Sequence, residues 1–442
     1  MKIIKSDEFD SYWKNQTIKE DKKTEKTVRK IIEEVRTKGD TAVRKFASKF
    51  DKSSPQKLEV HFSETKRAYD EIRKNNPSLT EALELAAANI SRFSLLQKEQ
   101  FKNFECEMGA GLFTGQKVIP VRKAAVYIPC GRFPLFSSVL MCMIPAFCAG
   151  AEEVILSSPP AENGYPDKKI LAAAFIAVQA SGVSDNRLRV FAMGGAQAVA
   201  ALAYGTQSVP RVDVIAGPGN KYVATAKRLL YGQTGIDFIA GPSDVLVISG
   251  GERINDRAQA ADLAAADMIA QAEHDSDARA RALVPDREFA DQIVAAIEKR
   301  LASMQTAATA RSSLDNGGLI IVYQNREEAI RIANTIAPEH LEIHSVNEND
   351  WIPHLKNYGS LFTGSLSAEV LGDYSAGINH TLPTSGSARF TGGLSVRHFI
   401  KTVTTLRCAE GEGFEKARST AEILARAEGL EGHALSAEAR KK

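Results

Sequence analysis

The sequence predicts an α/β protein built from two lobes, each with a parallel sheet, followed by a C-terminal helical arm. From about residue 117 onward, short apolar runs alternate with helical segments. Continuous apolar strands separated by helices are typical of βαβ units whose sheet is covered on both faces. The 442 residues exceed what one ordinary core accommodates, so two or more lobes are expected.

The elements follow in order along the chain. Residues 16–100 carry apolar side chains at three- and four-residue spacing, which predicts helices. The first alternating set has the strands AAVYIP, EEVILSSPP, LRVFAMGG, VDVIAGPG and DVLVISGG, with helices starting near Leu135, Asp167, Gln197 and Asn220. The second set has helices over 256–272, 287–304 and REEAIRIANTI, with the strands ARALVPD, GLIIVYQN and HLEIHS. Each lobe therefore resembles an incomplete Rossmann fold.

The chain beyond residue 390 is predicted to be mostly helical, over VRHFIKTV and FEKARSTAEILARAEGL. An arm of roughly 50 residues is too small to hold its own core, so it must pack on a lobe or on another subunit. We expect a discontinuous first lobe from 1–126 and 243–390, a second lobe from 127–242, and the arm from 391–442.

Composition excludes several functional classes. A net charge of +2 offers no electrostatic basis for binding nucleic acid or an anionic membrane. The five cysteines are odd in number and form no CxxC pair, which predicts a reducing compartment without a disulfide framework. No secretory h-region follows the first methionine, and the apolar stretch 133–151 is interrupted by serine, proline and glycine. We therefore expect a cytoplasmic protein.

Two glycine-rich turns mark a possible ligand crevice. The chain contains no Walker A loop and no GxGxxG, but FAMGGAQAVA (191–200) and VIAGPGNKYVATAKR (214–228) each join a strand to a helix. They place Gln197 and Asn220 where a helix N-terminus can receive a ligand. Each turn alone is more often just a tight connection, whereas two in consecutive units favour a crevice at the carboxyl ends of neighbouring strands.

Histidines and carboxylates define two further candidates. Gln271 and His274 lie three residues apart on one helix face, so both can reach one metal ion, for which Asp373 and His433 are distant partners. The alternative is a solvated helix end with an exposed histidine. Glu339 and His340 adjoin in APEHLEI, where a carboxylate and an imidazole can serve as proton acceptors, although such a pair also occurs by chance on surfaces.

Eight ordered segments together resemble the histidinol dehydrogenase family. They are YIPCGRFPLFSSVLM, GGAQAVAALAYGT, GPGNKYVATAKR, AGPSDVLV, QAEH, APEHLEI, GDYSAGINHTLPT and ARAEGLEGH, and they span roughly residues 20–435. The resemblance implies a zinc- and NAD-dependent homodimer with two nucleotide-fold-like lobes, in which the partner's C-terminal arm serves dimerisation and completes the active site. It also implies the last steps of histidine biosynthesis, in which a primary alcohol is oxidised to a carboxylate by two NAD molecules.

The resemblance also assigns residues. It implies Gln271, His274, Asp373 and His433 as zinc ligands that also bind the substrate, with His433 supplied by the other chain. Glu339 and His340 match the proton acceptors, and His340 also faces the substrate. Tyr127, Gln197 and Asn220 match NAD contacts, whereas Ser243, His380 and Glu428 match substrate contacts.

The chain departs from the family pattern at several positions, which leaves the alcohol open. Cys130-Gly131 replaces a glycine pair, Arg132 follows, and Ser243-Asp244 replaces Ser-Glu. The segment SGSARFTGGLSVRHF also resembles relatives that oxidise a sulfonated propanediol, whose sulfonate could pair with Arg132 or Arg389 unless these arginines are structural. Cys130 as a nucleophile, and a non-catalytic descendant that only binds metal or nucleotide, are further alternatives.

Overall fold

The computed structural model describes residues 1–15, 21–130, 134–239, 241–250, 256–344 and 347–441. Gly131 and Arg132, singled out in the sequence, lie outside the described residues. The strands are β1 (Lys2–Lys5), β2 (Glu59–Val60), β3 (Phe104–Gly109), β4 (Leu112–Pro120), β5 (Lys123–Tyr127), β6 (Glu153–Ser158), β7 (Leu188–Ala192), β8 (Val214–Ala216), β9 (Gly235–Ile236), β10 (Asp244–Ser249), β11 (Arg279–Val284), β12 (Leu319–Val322), β13 (His340–His344), β14 (Ser360–Thr363) and β15 (Ile400–Cys408).

Helices cover both faces of the two larger sheets. They are α1 (Phe9–Lys14), α2 (Lys22–Lys38), α3 (Asp40–Phe50), α4 (Ser63–Asn75), α5 (Pro77–Lys98), α6 (Phe136–Ala149), α7 (Lys168–Ala180), α8 (Gly195–Tyr204), α9 (Lys221–Leu230), α10 (Arg257–Ala272), α11 (Arg287–Leu301), α12 (Ala307–Gly317), α13 (Arg326–Ile336), α14 (Glu369–Tyr374), α15 (Glu412–Ala427) and α16 (Glu431–Glu438). The predicted α/β class, with parallel sheets in two lobes, is confirmed.

The first lobe is built on a parallel sheet in the order β1-β12-β11-β10-β13-β14. The central strand β10 is buried along its whole length, as its uninterrupted apolar run predicts. One face packs on α10, α11 and α12, and the other packs on α1 and α13. The sheet therefore supplies a rigid frame, and side chains at its strand ends are held in place.

The second lobe is built on the order β2-β7-β6-β5-β8-β9, in which only the two-residue edge strand β2 runs antiparallel. The helices α4 to α7 cover one face, and α2, α3, α8 and α9 cover the other. Helix α6, which lies within the apolar stretch 133–151, is almost entirely buried in the core of this lobe. Among the described residues, no helix is long and apolar enough to cross a membrane.

The N-terminal helices pack differently from the predicted grouping of 1–126 with 243–390. Only β1 and α1 join the first lobe, through the pairing of β1 with β12 and the burial of Phe9 in its core. Helices α2 to α5 bury their apolar faces on the second lobe instead, and β5 belongs to its sheet. Amphipathic spacing identifies which face of a helix is buried but not which sheet covers it, so the grouping needed tertiary contacts.

The C-terminal arm contains a strand that was predicted as helix. Within VRHFIKTV, residues Val396–Phe399 form one 3-10 turn, and β15 follows. This strand pairs antiparallel with β4, which also pairs with β3. The alternating Thr and Val residues of β15 suit a pleated ribbon, and the partner strand supplies the hydrogen bonds. Helices α15 and α16 follow, as predicted, and α15 has no buried residue.

Candidate active site

Two neighbouring strands of the first lobe begin at the same edge and place the predicted proton acceptors together. Strand β13 starts at His340, which lies opposite Val245 of β10 in the parallel register. Glu339 and Ser243 each precede one of these strands, so both lie at the amino-terminal edge of the sheet. Glu339 and His340 are 4% and 5% exposed, which excludes the alternative of a chance surface pair.

Glu339 is held in place by two hydrogen bonds to the buried residue Asp244. Its Oε2 accepts the backbone N–H of Asp244 at 3.1 Å, and Asp244 Oδ1 accepts the backbone N–H of Glu339 at 3.1 Å. Asp244 Oδ2 pairs with Arg281 Nη1 at 2.8 Å, and both side chains are buried. Burial, with the nearby charges of Asp244 and Asp373, raises the pKa of Glu339 to about 7 despite the opposing effect of His340. A carboxyl group with this pKa can accept or release a proton near neutral pH.

Replacing Asp244 by Ala should lower the free energy of unfolding by about 3–5 kcal/mol, because the buried guanidinium of Arg281 loses its partner. Urea denaturation followed by circular dichroism measures this change. The exposed pair of Arg287 and Asp291 in the same lobe provides the control, since Asp291→Ala should cost less than about 1 kcal/mol. Equal losses in the two variants would contradict a structural role for Asp244.

His340 lies between two carboxylates. Its Nε2 is 3.5 Å from Asp373 Oδ1, and its Nδ1 is 3.6 Å from Glu369 Oε2. Burial opposes protonation of the ring, but Glu369, Asp373 and Glu339 outweigh it and raise the pKa of His340 well above its usual value. The imidazole thus has Glu369 on its Nδ1 side and Asp373 on its Nε2 side.

The structure tests whether the predicted ligand residues suit a metal ion. Gln271 is 1% exposed, yet neither its Oε1 nor its Nε2 has a hydrogen-bond partner among the described residues. An amide buried without partners is costly unless a ligand completes it. His274 lies two residues beyond the end of α10 and is exposed in this chain, so the predicted helix face does not extend to it. Burial raises the pKa of Asp373, but His340, then His380 and His274, lower it below its usual value. The amide, imidazole and carboxylate donors therefore fit zinc.

His380 connects the site to the second lobe. Its Nδ1 contacts the backbone carbonyl oxygen of Asp373 at 2.8 Å, and its Nε2 lies 2.9 Å from Ser138 Oγ on α6. The neighbouring Asn379 donates its Nδ2–H to the carbonyl oxygen of Met141 at 2.6 Å. These contacts seat the segment after α14 against the second lobe, so the site lies where the two lobes meet.

Glu428 and His433 lie elsewhere within this single chain. Both are exposed on the arm, where Glu428 ends α15 and His433 belongs to α16. Among the described contacts, neither side chain bonds to Gln271, His274 or Asp373. The arm packs on the β3–β4 hairpin through α15, and Ile423, Leu424, Leu430 and Leu435 remain exposed.

The predicted cofactor residues lie at the carboxyl edge of the second sheet. The Tyr127 hydroxyl at the end of β5 accepts the backbone N–H of Gly195 at 3.0 Å, which steadies the turn before α8. Gln197 is buried in the first turn of α8, and its Nε2 has no hydrogen-bond partner among the residues described. Asn220 caps α9 by accepting two backbone N–H groups, and its side chain is exposed. The three residues thus line one edge.

Gly217 explains why the second turn is glycine-rich. Its φ is +111°, and a Cβ there would lie 2.2 Å from the carbonyl oxygen of Tyr127. Only glycine allows this backbone conformation and approach. The turn before Asn220 therefore packs directly beneath the end of β5, which brings the two predicted cofactor segments together.

The surroundings of Cys130 and Arg389 bear on the two roles that the sequence left open for each of them. Burial raises the pKa of the Cys130 thiol, which makes a thiolate nucleophile less available at neutral pH. Arg389 donates to the backbone carbonyl oxygens of Thr335 and Gly386, so its guanidinium already has structural partners. Both observations favour the alternatives in which these residues do no chemistry.

Several buried polar residues around the site were not identified from the sequence. They are Asp244, Asp267, Arg281, Glu342, His344 and Glu369. The signal was present in HLEIH, where His340, Glu342 and His344 alternate with apolar residues in a strand that is buried throughout. Alternating polar residues in a fully buried strand share one face and therefore require partners there.

Known proteins are similar to this chain in fold and, along nearly its whole length, in sequence. The histidinol dehydrogenase family model matches residues 14–441. The histidinol dehydrogenase of Aquifex aeolicus (strain VF5) is 44% identical over 419 residues, covering 94% of this chain and 92% of the relative. That of Pseudomonas syringae pv. syringae (strain B728a) is 43% identical, covering 93% and 88%.

A solved structure agrees with these sequence matches. The crystal structure of histidinol dehydrogenase from Elizabethkingia anophelis superimposes with a TM-score of 0.88 at 32% identity, covering 97% of this chain and 95% of that one. Since the family model spans nearly the whole chain, and relatives above 40% identity match it along almost their full length, the chain belongs to the histidinol dehydrogenase family.

Proposed function

We propose that this chain is a zinc- and NAD-dependent dehydrogenase that oxidises L-histidinol to L-histidine, through the aldehyde, in a four-electron reaction. The observation that carries the proposal is the buried Glu339–His340 pair beside Gln271, whose amide has two unpartnered polar atoms. A cytoplasmic location accords with the five free cysteines, which stay reduced there.

The cofactors have separate places in this proposal. Gln271, His274 and Asp373, with His433 of the partner subunit, hold zinc, while Tyr127, Gln197 and Asn220 contact NAD. When bound, zinc anchors the amine and imidazole nitrogens of the substrate, and NAD accepts a hydride in each of two successive steps. The Gln271 amide, in which both polar atoms lack a hydrogen-bond partner among the described residues, supports the first assignment.

The chain's own residues move the protons. His340 takes the proton from the substrate hydroxyl as the alcohol becomes the aldehyde. A cation held by Asp373 would offset that carboxylate's negative charge and lower the pKa of His340 toward the working range. Glu339 then takes a proton from the water that adds to the aldehyde, and its pKa of about 7 suits this role. Ser243, His380 and Glu428 position the substrate.

The proposal includes a homodimer with a shared site. Helix α15 has no buried residue, and the apolar side chains of Ile423, Leu424, Leu430 and Leu435 are exposed on the arm. Covering them against a second copy would remove this apolar surface from water. The same docking would bring Glu428 and His433 to the partner's first lobe, where the zinc ligands lie.

An NAD-reduction assay tests the substrate. L-histidinol should yield two reduced cofactors per molecule oxidised, whereas a sulfonated propanediol should react slowly, since Arg389 already bonds to Thr335 and Gly386. The product count is read from absorbance of the reduced nicotinamide and from the amount of L-histidine formed. Faster turnover of the sulfonated alcohol, or one reduced cofactor per L-histidinol, would overturn the proposal.

A further inference from the structure

A second layer of metal-ligating side chains lies directly beneath the candidate active site. Alternate residues of a strand share a face, so His340, Glu342 and His344 of β13 point the same way. On α10, Asp267 lies four residues before Gln271, and on α14, Glu369 lies four residues before Asp373. Residues four apart share a helix face. The three elements that carry the candidate active-site residues, α10, β13 and α14, therefore each carry further metal-ligating side chains one helical turn or one strand repeat away. We call Asp267, Glu342, His344 and Glu369 the inner layer.

The inner layer has the dimensions of a coordination site. His344 Nε2 is 3.1 Å from Glu342 Oε2 and 3.4 Å from Asp267 Oδ2, and the ligand atoms of all three lie within 4.8 Å of one another. Donors about 2.1 Å from a metal ion are separated by roughly 3.0 Å in octahedral and about 3.4 Å in tetrahedral geometry. Both measured edges match this range, so one ion can reach all three donors.

Among the described residues, the cations near the inner layer are too few to balance its three carboxylates. Asp267, Glu342 and Glu369 are 8%, 0% and 1% exposed, and three buried carboxylates are costly without compensation. The positive side chain facing Asp267, Arg300, is already bonded to both carboxylate oxygens of Asp262. The remaining neighbours are the imidazoles of His344 and His340.

Unpartnered oxygens point to a missing ligand. Glu342 Oε2 and Glu369 Oε2 form no hydrogen bond among the described residues, and they lie 3.1 Å from His344 Nε2 and 3.6 Å from His340 Nδ1, respectively. A buried carboxylate oxygen without a hydrogen bond is costly unless a ligand such as a cation completes it.

We propose that Asp267, Glu342 and His344 bind a divalent metal ion in a second site, separate from the one at Gln271. The mixed carboxylate and imidazole donors suit Mn²⁺, Fe²⁺ or Zn²⁺. Glu369 acts from outside the site, because its backbone N–H donates to Glu342 Oε1 at 2.7 Å and directs Oε2 inward. The proposal does not depend on which alcohol the enzyme oxidises.

Counting metal ions in the full-length protein tests this site. After equilibration with excess Zn²⁺ and Mn²⁺ and desalting, mass spectrometry of the elements should find about two ions per wild-type chain. Glu342→Gln and Asp267→Asn should each retain about one, and His274→Asn, which alters the other site, should also retain about one. Asp291→Asn, in an exposed ion pair on the neighbouring helix α11, is the control and should keep the wild-type count.

Spectroscopy identifies the inner donors. In the His274→Asn background, pulsed EPR of bound Mn²⁺ should show an imidazole nitrogen coupling that His344→Gln removes. Folded Glu342→Gln and Asp267→Asn proteins with the same metal count as wild type would overturn the inner site and leave the proposed function intact. A His274→Asn protein with an unchanged count would instead contradict the proposed zinc ligands. Circular dichroism establishes that each variant is folded.

Discussion

Replacing His340 by Asn should lower the rate of NAD reduction with L-histidinol by about 10²–10⁴-fold, because the hydroxyl proton loses its acceptor. Asn retains a similar shape, so the surrounding carboxylates of Glu369 and Asp373 stay in place. Metal content should remain that of the wild type, since His340 is not among the proposed ligands. Steady-state kinetics and elemental analysis of the same preparation measure both quantities.

His354→Asn provides the matched control, because His354 is exposed in a short turn of the first lobe. Its turnover should equal that of the wild type. A His340→Asn enzyme with unchanged turnover would remove His340 as the base. A loss of metal together with activity would instead show that His340 supports the zinc site.

Mixing two inactive variants should restore activity if each site draws on both subunits. A dimer of one His340→Asn chain and one His433→Asn chain has one site in which both substitutions meet and one site free of them. Random exchange makes half of the dimers mixed, so about a quarter of the wild-type activity should return. The measurement is the NAD-reduction rate after co-refolding or co-expression of the two chains.

The control mixture combines His340→Asn with Glu339→Gln. Both substitutions lie in the same first lobe, so every site in a mixed dimer carries one of them and no activity should return. Differently tagged chains establish that exchange has occurred. Absence of recovery with His433→Asn, despite proven exchange, would contradict a shared site.

Much of the fold could be read from residue patterns alone. The alternating order of strands and helices was predicted from two patterns, the amphipathic spacing of the helices and the apolar runs of the strands β5, β6, β7, β10, β11 and β13. Burial on both faces of a parallel sheet requires such runs. The adjacency of Glu339 and His340 was likewise visible in the sequence, whereas the pairing of Gln271 with His274 on one metal ion remains a prediction, since α10 ends at Ala272. His433 as a zinc ligand remains a prediction that no single chain can test.

Other features depend on contacts between distant segments. The helices α2 to α5 carry apolar faces that either sheet could bury, and only the packed structure assigns them to the second lobe. The strand β15 needs the edge of β4 for its hydrogen bonds, so its first residues, 400–403 within VRHFIKTV, were predicted as helix when considered alone. The inner residues Asp267, Glu342, His344 and Glu369 lie on three elements separated along the chain. The periodicity of apolar residues shows which face of a segment is buried. Which other segment covers that face is decided only by the packing of the whole chain.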